Sequence, residues 1–330
     1  MRKAGRRPTI SDVARDAGVS IATVSYVLNG KRAVSSQVRE QVLAASDALG
    51  YRVNSAAQTL RRQSSKTVGL CMTTVSTVYL RELANALDEI ATENGYELVQ
   101  VLTRQDPARE LARVNSLLSR QVDGIVLLPS LHPQAALEAI SRSSAPSVVV
   151  DRIGEDDRFS YVIVNNNKAM QDLVRHLMGT EHRRLLFVAQ NLDVVTTRHR
   201  LAGLEEQARL AGGALRYQAI QRGDDEVAYA TRLRHLLEQP DPPTAIIAGN
   251  SSVALSTWKA LLAAENQQAV AMATFDDPDW ADLCQPAMIS VRVPFRTFAE
   301  ATWELLMQQM EGRFDAARTI QIDAGLVVRM

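Results

Sequence analysis

The chain has 330 residues, 37 Lys+Arg against 37 Asp+Glu, and is 46% hydrophobic and 22% charged, so it suits two or three folded units with sizeable cores and is not a uniformly basic or acidic protein. No apolar run approaches the roughly 18–20 residues that span a bilayer, and no apolar stretch follows the basic start MRKAGRR as a secretory signal requires. Two cysteines, Cys71 and Cys284, make neither a disulfide framework nor a zinc site, so the expectation is a cytoplasmic protein with buried free thiols, no metal, no cofactor and no membrane partner.

The charge is unevenly spread. Residues 1–66 hold twelve Lys+Arg and four Asp+Glu, and the rest of the chain offsets this excess with 25 basic and 33 acidic residues. A basic module on an acidic body points to a polyanion as the partner of the first part. That part opens with Thr9, which can cap a helix that Asp12 favours from its first turn. Ile10, Val13, Ala14 and Ala17 share one helical face, and Gly18 is a natural stop. Ser20 can cap a second helix from Ile21 to about Asn29, with Val24, Val27 and Leu28 inward and Gly30 ending it. Ser35 can cap a third, in which Val38, Val42, Ala45 and Leu49 recur before Gly50.

Three short helices with a glycine turn between the first two make a helix-turn-helix unit. The second helix of such a unit enters the major groove, and its early exposed side chains meet base edges. Here those are Ile21, Ala22 and, one turn on, Tyr26. Ser20, Thr23, Ser25 and Asn29 are short polar side chains suited to backbone phosphates. A helical bundle without a ligand would share the pattern, and the basic excess favours DNA.

The string T-x-x-D-V-A-x-x-A-G-V-S-x-x-T-V-S-x-V-L-N-G, continued by VSSQVREQVLAASDALGYRVN, resembles the DNA-binding headpiece of the lactose-repressor family of bacterial regulators. The resemblance implies that Ile21, Ala22 and Tyr26 read bases. Tyr26 stands where the family often has Arg and cannot make the bidentate bond to guanine. Residues 53–66 follow as hinge and linker. Asn54 or Ser55 can cap a helix of about 56–62, too short to be stable alone in water. The resemblance implies a hinge helix that folds when two subunits meet on DNA, with Leu60 wedged into the minor groove and Ala57 on the neighbouring turn. Val53 replaces the usual Pro there, and Gln58 a frequent Arg.

From Thr67 the texture changes to apolar runs separated by amphipathic stretches. Strands are expected at 68–74, 97–103, 123–129 and 147–151, with helices at 79–94, 108–120 and 134–143. A second series is read from near Tyr161, with strands at 184–189, 216–220, 244–249 and 269–275 and helices near 166–179, 197–212, 225–239 and 251–265. A strand-like AMISVRVPF, a helix near 295–311 and strand-like TIQI and GLVVRM complete the chain. The fold class is therefore α/β, an all-α headpiece followed by two doubly wound lobes with a cleft between them. Open sheets bind ligands beyond the carboxyl ends of their strands. Those ends supply Asp151, Arg152, Asn250 and Asp276, and Arg198 and Arg200 open the helix after strand 184–189.

Residues 67–330 also resemble the family's effector domain, whose fold is shared with periplasmic sugar-binding proteins. TTRHRLAGL matches the family's R-x-R-x-x-G stretch, which places Arg200 at the ligand-binding arginine. Asn250 stands in an N-D pair whose second member is here Ser251, and Asp276 matches the ligand-binding aspartate. Val164, Trp280 and Tyr79 are further lining candidates, with Thr74 and Ser76 beside Tyr79. The resemblance implies a headpiece at 1–52, a hinge at 53–66 and an effector-binding and dimerisation domain at 67–330. Its first lobe would be 67–164 and 293–320, its second 165–292 and 321–330.

Together these features point to a ligand-responsive transcriptional regulator of the repressor kind. A homodimer would bind a near-palindromic operator in double-stranded DNA, with pairing into tetramers left open. A small molecule in the cleft, by family default a sugar or sugar derivative, would switch it, and Arg152, Arg198 and Arg200 would tolerate a phosphate or carboxylate. The alternative is a sugar-binding receptor with no DNA role. An α/β enzyme is disfavoured because G-x-S-x-G, P-loop, G-x-G-x-x-G and metal-ligand spacings are missing and the five His are scattered.

Overall fold

A computed structural model describes residues 8–29, 34–52, 64–154, 156–264, 270–313 and 316–329. The expected hinge residues Ala57 and Leu60 lie outside the described residues, as does the side chain of Asn29. The chain divides into two compact units between Ser65 and Lys66.

The first unit holds helices α1 (Ile10–Asp16), α2 (Ile21–Asn29) and α3 (Ser36–Leu49). The carboxylate of Asp12 accepts hydrogen bonds from the Thr9 backbone N–H at 2.9 Å and the Thr9 hydroxyl at 2.7 Å, which fixes the start of α1. Gly18 takes φ +66°, the left-handed conformation that lets the chain turn into α2. Ser20 Oγ then accepts from the Thr23 N–H at 3.0 Å and so caps α2. Val13, Ala14, Val24, Val27, Val42 and Ala45 meet in one small core, the set that helical spacing places inward.

The second unit contains two six-stranded sheets. In the first lobe the strands are β1 (Thr67–Met72), β2 (Glu97–Leu102), β3 (Gly124–Leu127), β4 (Ser147–Val150), β5 (Ser160–Val164) and β11 (Thr319–Ile322), ordered β11-β5-β4-β3-β1-β2 and all parallel. In the second they are β6 (Arg184–Ala189), β7 (Arg216–Gln221), β8 (Ala245–Ala248), β9 (Ala271–Phe275), β10 (Ile289–Arg292) and β12 (Gly325–Val327), ordered β12-β10-β9-β8-β6-β7. The edge strand β12 runs antiparallel to β10, and the other neighbours there pair in parallel. The central strands are buried along their whole length, which is why they read as unbroken apolar runs. Helices cover both faces of each sheet, giving two core clusters per lobe.

Two boundaries differ from the sequence reading. The run around Tyr161 does not open the second series: β5 pairs with β4 and closes the first lobe's own five-strand set, because YVIV is buried on both faces like its neighbour. The returning strand β11 keeps Gln321 and Ile322 in the first sheet, paired to Ile163 and Val164. The helix Phe295–Met310 lies in the first lobe, where the sequence reading put 293–320, and packs Phe298, Trp303 and Leu306 into one core with Val148 and Val162.

Candidate functional site

On the first unit, α2 buries Val24 and Val27 and leaves its other side open. Ile21 is 51% and Tyr26 38% exposed, and Ala22 is exposed with them. Large apolar side chains held outward on a helix this short gain nothing for its core. Ser20 and Thr23 pair their hydroxyls at 2.8 Å beside this face, and Ser25 lies half-buried. The face therefore offers apolar, aromatic and hydroxyl groups at the spacing by which a recognition helix meets base edges and phosphates.

In the second unit the carboxyl ends of both sheets border one cleft, and the lobes touch across it: the Val78 N–H donates to Ser251 Oγ at 3.3 Å. A group of buried ionisable side chains lies where they meet. Asp151 follows β4 and Asp276 follows β9, and both adopt the left-handed backbone, φ +69° and +72°, which Asp tolerates better than most residues. Between them Arg200 donates from Nε to Asn166 Oδ1 at 2.7 Å, donates to the carbonyl of Gly249 and stacks 4.0 Å from the Phe275 ring centroid. The glycine of its R-x-R-x-x-G stretch has a packing reason, since a Cβ at Gly203 would collide with the carbonyl oxygen of Asn167 and keep the Arg200 helix (Val195–Leu210) from closing on helix Asn166–Gly179.

The electrostatics follow from burial. Desolvation pushes the carboxyls of Asp151 and Asp276 up, against the pull of Arg200 on both. Asp276 is further held by the Ser251 N–H, 2.9 Å from its Oδ2 at a helix N-terminus. Burial lowers the Arg200 guanidinium, which the two carboxylates partly restore. Tyr79 is raised well above the ordinary tyrosine value by burial and then by the Asp151 carboxylate near its hydroxyl.

Around this group the cleft opens into cavities. An inner one of about 590 Å³ takes its wall from both lobes, with hydroxyls and amides dominant: Thr73, Ser76, Thr197, Gln105, Asn191 and Asn250 are typical. Arg200 and Arg222 supply its positive charge. Asn250 also caps helix Ser251–Ala263, its Oδ1 accepting from the Val253 N–H at 2.9 Å. An outer cavity of about 810 Å³ lies alongside, and Arg152 and Arg198 border it.

The expected residues thus fall into three places. Arg200, Asn250, Arg152, Thr74, Ser76 and Asp276 reach cavity walls. Tyr79 and Asp151 sit against Arg200. Val164 is a correction, and Trp280 lines none of the cavities described above. Val164 is 3% exposed in the first lobe's core, since it shares a strand face with Val162, and Trp280 packs on the second lobe's core from the short helix Asp279–Leu283. Sequence reasoning missed Thr73, which lines the inner cavity, and did not single out the buried Thr103 and Glu110. Thr73 and Thr103 each directly follow a strand, the position that already singled out Asp151 and Asp276.

Comparison with known proteins agrees with this architecture. Residues 9–54 match the family described as bacterial regulatory proteins, lacI family. Residues 65–290 match periplasmic binding proteins and the sugar binding domain of the LacI family. The ribose operon repressor of Escherichia coli K12 is 30% identical over 92% of this chain and 93% of its own. The Lac repressor bound to ONPG in the repressed state superposes with a TM-score of 0.83 at 24% identity, covering 98% of this chain and 99% of that one. The transcriptional regulator CelR in complex with cellobiose gives 0.70 at 26% identity, covering 98% and 99%. With both of its units matched in order, the chain belongs to the LacI family of bacterial regulatory proteins.

Proposed function

We propose that this protein is a repressor that binds operator DNA as a homodimer through two copies of α2 and is switched by a small polyhydroxyl molecule held between its lobes. The observation that carries the DNA half is the exposure of Ile21, Ala22 and Tyr26 on a helix whose other face is core. The ligand half is supported by the inner cavity, whose hydroxyl and amide wall matches a molecule rich in hydroxyl groups. The relatives named for ribose and cellobiose point the same way. A ligand that prefers one lobe arrangement shifts DNA affinity by its differential binding, typically about 1–3 kcal/mol of coupling.

The same reading places the protein in the cytoplasm, gives it no chemical step, and assigns base contacts to Ile21, Ala22 and Tyr26 and backbone contacts to Ser20, Thr23, Ser25 and Asn29. The test is fluorescence anisotropy of the full chain on near-palindromic duplexes selected from random sequence. Tyr26→Ala should weaken the selected site by roughly ten- to a hundredfold, as loss of one base contact does, and leave binding to random DNA nearly unchanged. Ligand binding without affinity for any duplex at low salt would favour the receptor without a DNA role. Turnover of a bound sugar by the purified protein would overturn the non-catalytic assignment.

A further inference from the structure

The open face of α2 lacks the side chains that read most bases. Among the described residues of the helix, only Ile21, Ala22 and Tyr26 are exposed. Its sequence, IATVSYVLN, has no Arg, Lys, Gln, Asp or Glu. The one amide, Asn29, is the last residue, more than two turns beyond Ile21. Base edges are met by the early residues of a recognition helix, not by its far end.

Hydrogen-bonded readout is thereby closed off. Guanine is read by Arg or Lys, adenine by the amide of Asn or Gln, and the amino group of cytosine by Asp or Glu. None of these stands at the early positions. The hydroxyls of Ser20 and Thr23 bond each other at 2.8 Å, and Ser20 Oγ also accepts the Thr23 N–H at 3.0 Å. Tyr26 has a single hydroxyl, and one O–H meets an acceptor on guanine, adenine and thymine alike.

What remains is apolar surface. Ala22 and Tyr26 are four residues apart and so are neighbours on the helix, with Ile21 beside Ala22. The three make one patch, and its two large members are 51% and 38% exposed. In the major groove the group that an apolar side chain distinguishes is the methyl on C5 of thymine, where cytosine has a hydrogen. The same methyl stands on 5-methylcytosine.

We propose that α2 reads its half-site through the C5-methyl groups of pyrimidines, packed against Ile21, Ala22 and Tyr26. Thymines occupy those positions in the operator, and 5-methylcytosine substitutes for thymine there better than cytosine does. Methylation of cytosine at C5 in a weak site therefore strengthens it and couples this protein to the modification state of its DNA. The proposal rests on α2 being the helix that enters the groove.

The methyl can be removed from the DNA, so the main test needs no variant. Fluorescence anisotropy of the full chain is measured, at one salt concentration, on a duplex selected from random sequence and on copies carrying single base analogues. Selections repeated with Ile21→Ala and Tyr26→Ala mark the base pairs under α2 as those whose preference changes. At marked thymines, deoxyuridine should weaken binding roughly three- to fivefold per methyl removed, the loss expected for one buried methyl. With cytosine at the same positions, 5-methylcytosine should bind three- to fivefold tighter than its unmethylated form. Ile21→Ala should bind the thymine and uracil forms of at least one marked position alike. Equal affinity for thymine and uracil at every marked position would overturn the proposal and leave the DNA-binding reading standing. So would a marked guanine whose replacement by 7-deazaguanine costs more than any uracil, since that loss reports a hydrogen bond to N7. Failure to select any duplex at low salt would sink both.

Discussion

In the first lobe, Asp106 caps the helix after the second strand by accepting from the N–H groups of Ala108 and Arg109, and the fourth residue of that helix, Glu110, is fully buried. In the second lobe, Asp225 caps the corresponding helix through Val227 and Ala228, and its fourth residue, Tyr229, is 1% exposed. The strand order repeats as well, with Asp151 and Asp276 at the same turn after the fourth strand. What differs is how each lobe satisfies its buried polar groups. Tyr229 shares a 2.6 Å hydrogen bond with Thr257, itself bonded to the Val253 carbonyl. Glu110 accepts from the Ser130 N–H with Oε2, with the Ser130 hydroxyl beside the same carboxylate. Among the described residues, the hydroxyls of Thr73 and Thr103 are buried without a hydrogen-bond partner. A common backbone thus carries a settled lobe and one that keeps unspent polar atoms beside the ligand cleft.

Breaking the comparison at its shared centre should have the largest effect. Arg200 is the guanidinium set between Asp151 of the first lobe and Asp276 of the second. Arg200→Ala removes the buried cation that attracts both carboxylates and leaves the Asn166 amide oxygen and the Gly249 carbonyl without its donors, so thermal unfolding should show a loss of roughly 1–3 kcal/mol. Effector response should vanish while the headpiece still binds DNA. A variant as stable as the parent would mean that Asp151 and Asp276 are not held by this cation. The next effect is confined to the second lobe. Tyr229→Phe removes the bond to Thr257 and keeps the ring packed, and chemical denaturation should report a loss of about 1 kcal/mol with ligand affinity unchanged. A shift in ligand affinity would show that the second lobe's interior is as tied to the cleft as the first's.

Much of this arrangement was legible in the sequence because it follows from period and punctuation. Burial on both faces makes β3, β4 and β8 unbroken apolar runs, and Thr9, Ser20 and Ser35 announce helix starts by their chemistry. The rule that ligands gather at strand ends singled out Arg152, Asn250 and Asp276, each of which lines a cavity. It could not rank Thr73 or Thr103, since threonine is an ordinary strand residue and only the folded chain shows its hydroxyl buried and unpaired. Val164 misled because closeness in sequence to a motif says nothing about which face a side chain takes. Glu110 is of a residue type that helices usually expose, yet it lies four and seven residues before Val114 and Leu117, the buried stripe of its own helix. That spacing was the available signal.

The smallest effect is the one that isolates Glu110. Burial raises its carboxyl above the ordinary 4.5, partly opposed by Ser130 and Arg152. A carboxyl whose folded pKa is raised binds its proton more tightly folded than unfolded, so folding is favoured at low pH. That contribution is complete below the unfolded value and is lost as pH rises through the folded value. Glu110→Gln keeps an acceptor for the Ser130 N–H and never ionises. Parent and variant should therefore have nearly equal urea midpoints near pH 4, and the variant should gain on the parent as pH rises above 4.5, levelling off once Glu110 is ionised in the folded protein. The difference between the two chains cancels Asp151 and Asp276, which burial raises in the same direction. A gap that stays constant with pH would place Glu110 in an environment as well solvated as the unfolded chain. A gap of the opposite sign would mean that Arg152 outweighs burial and that the first lobe holds its charge as firmly as the second holds its tyrosine.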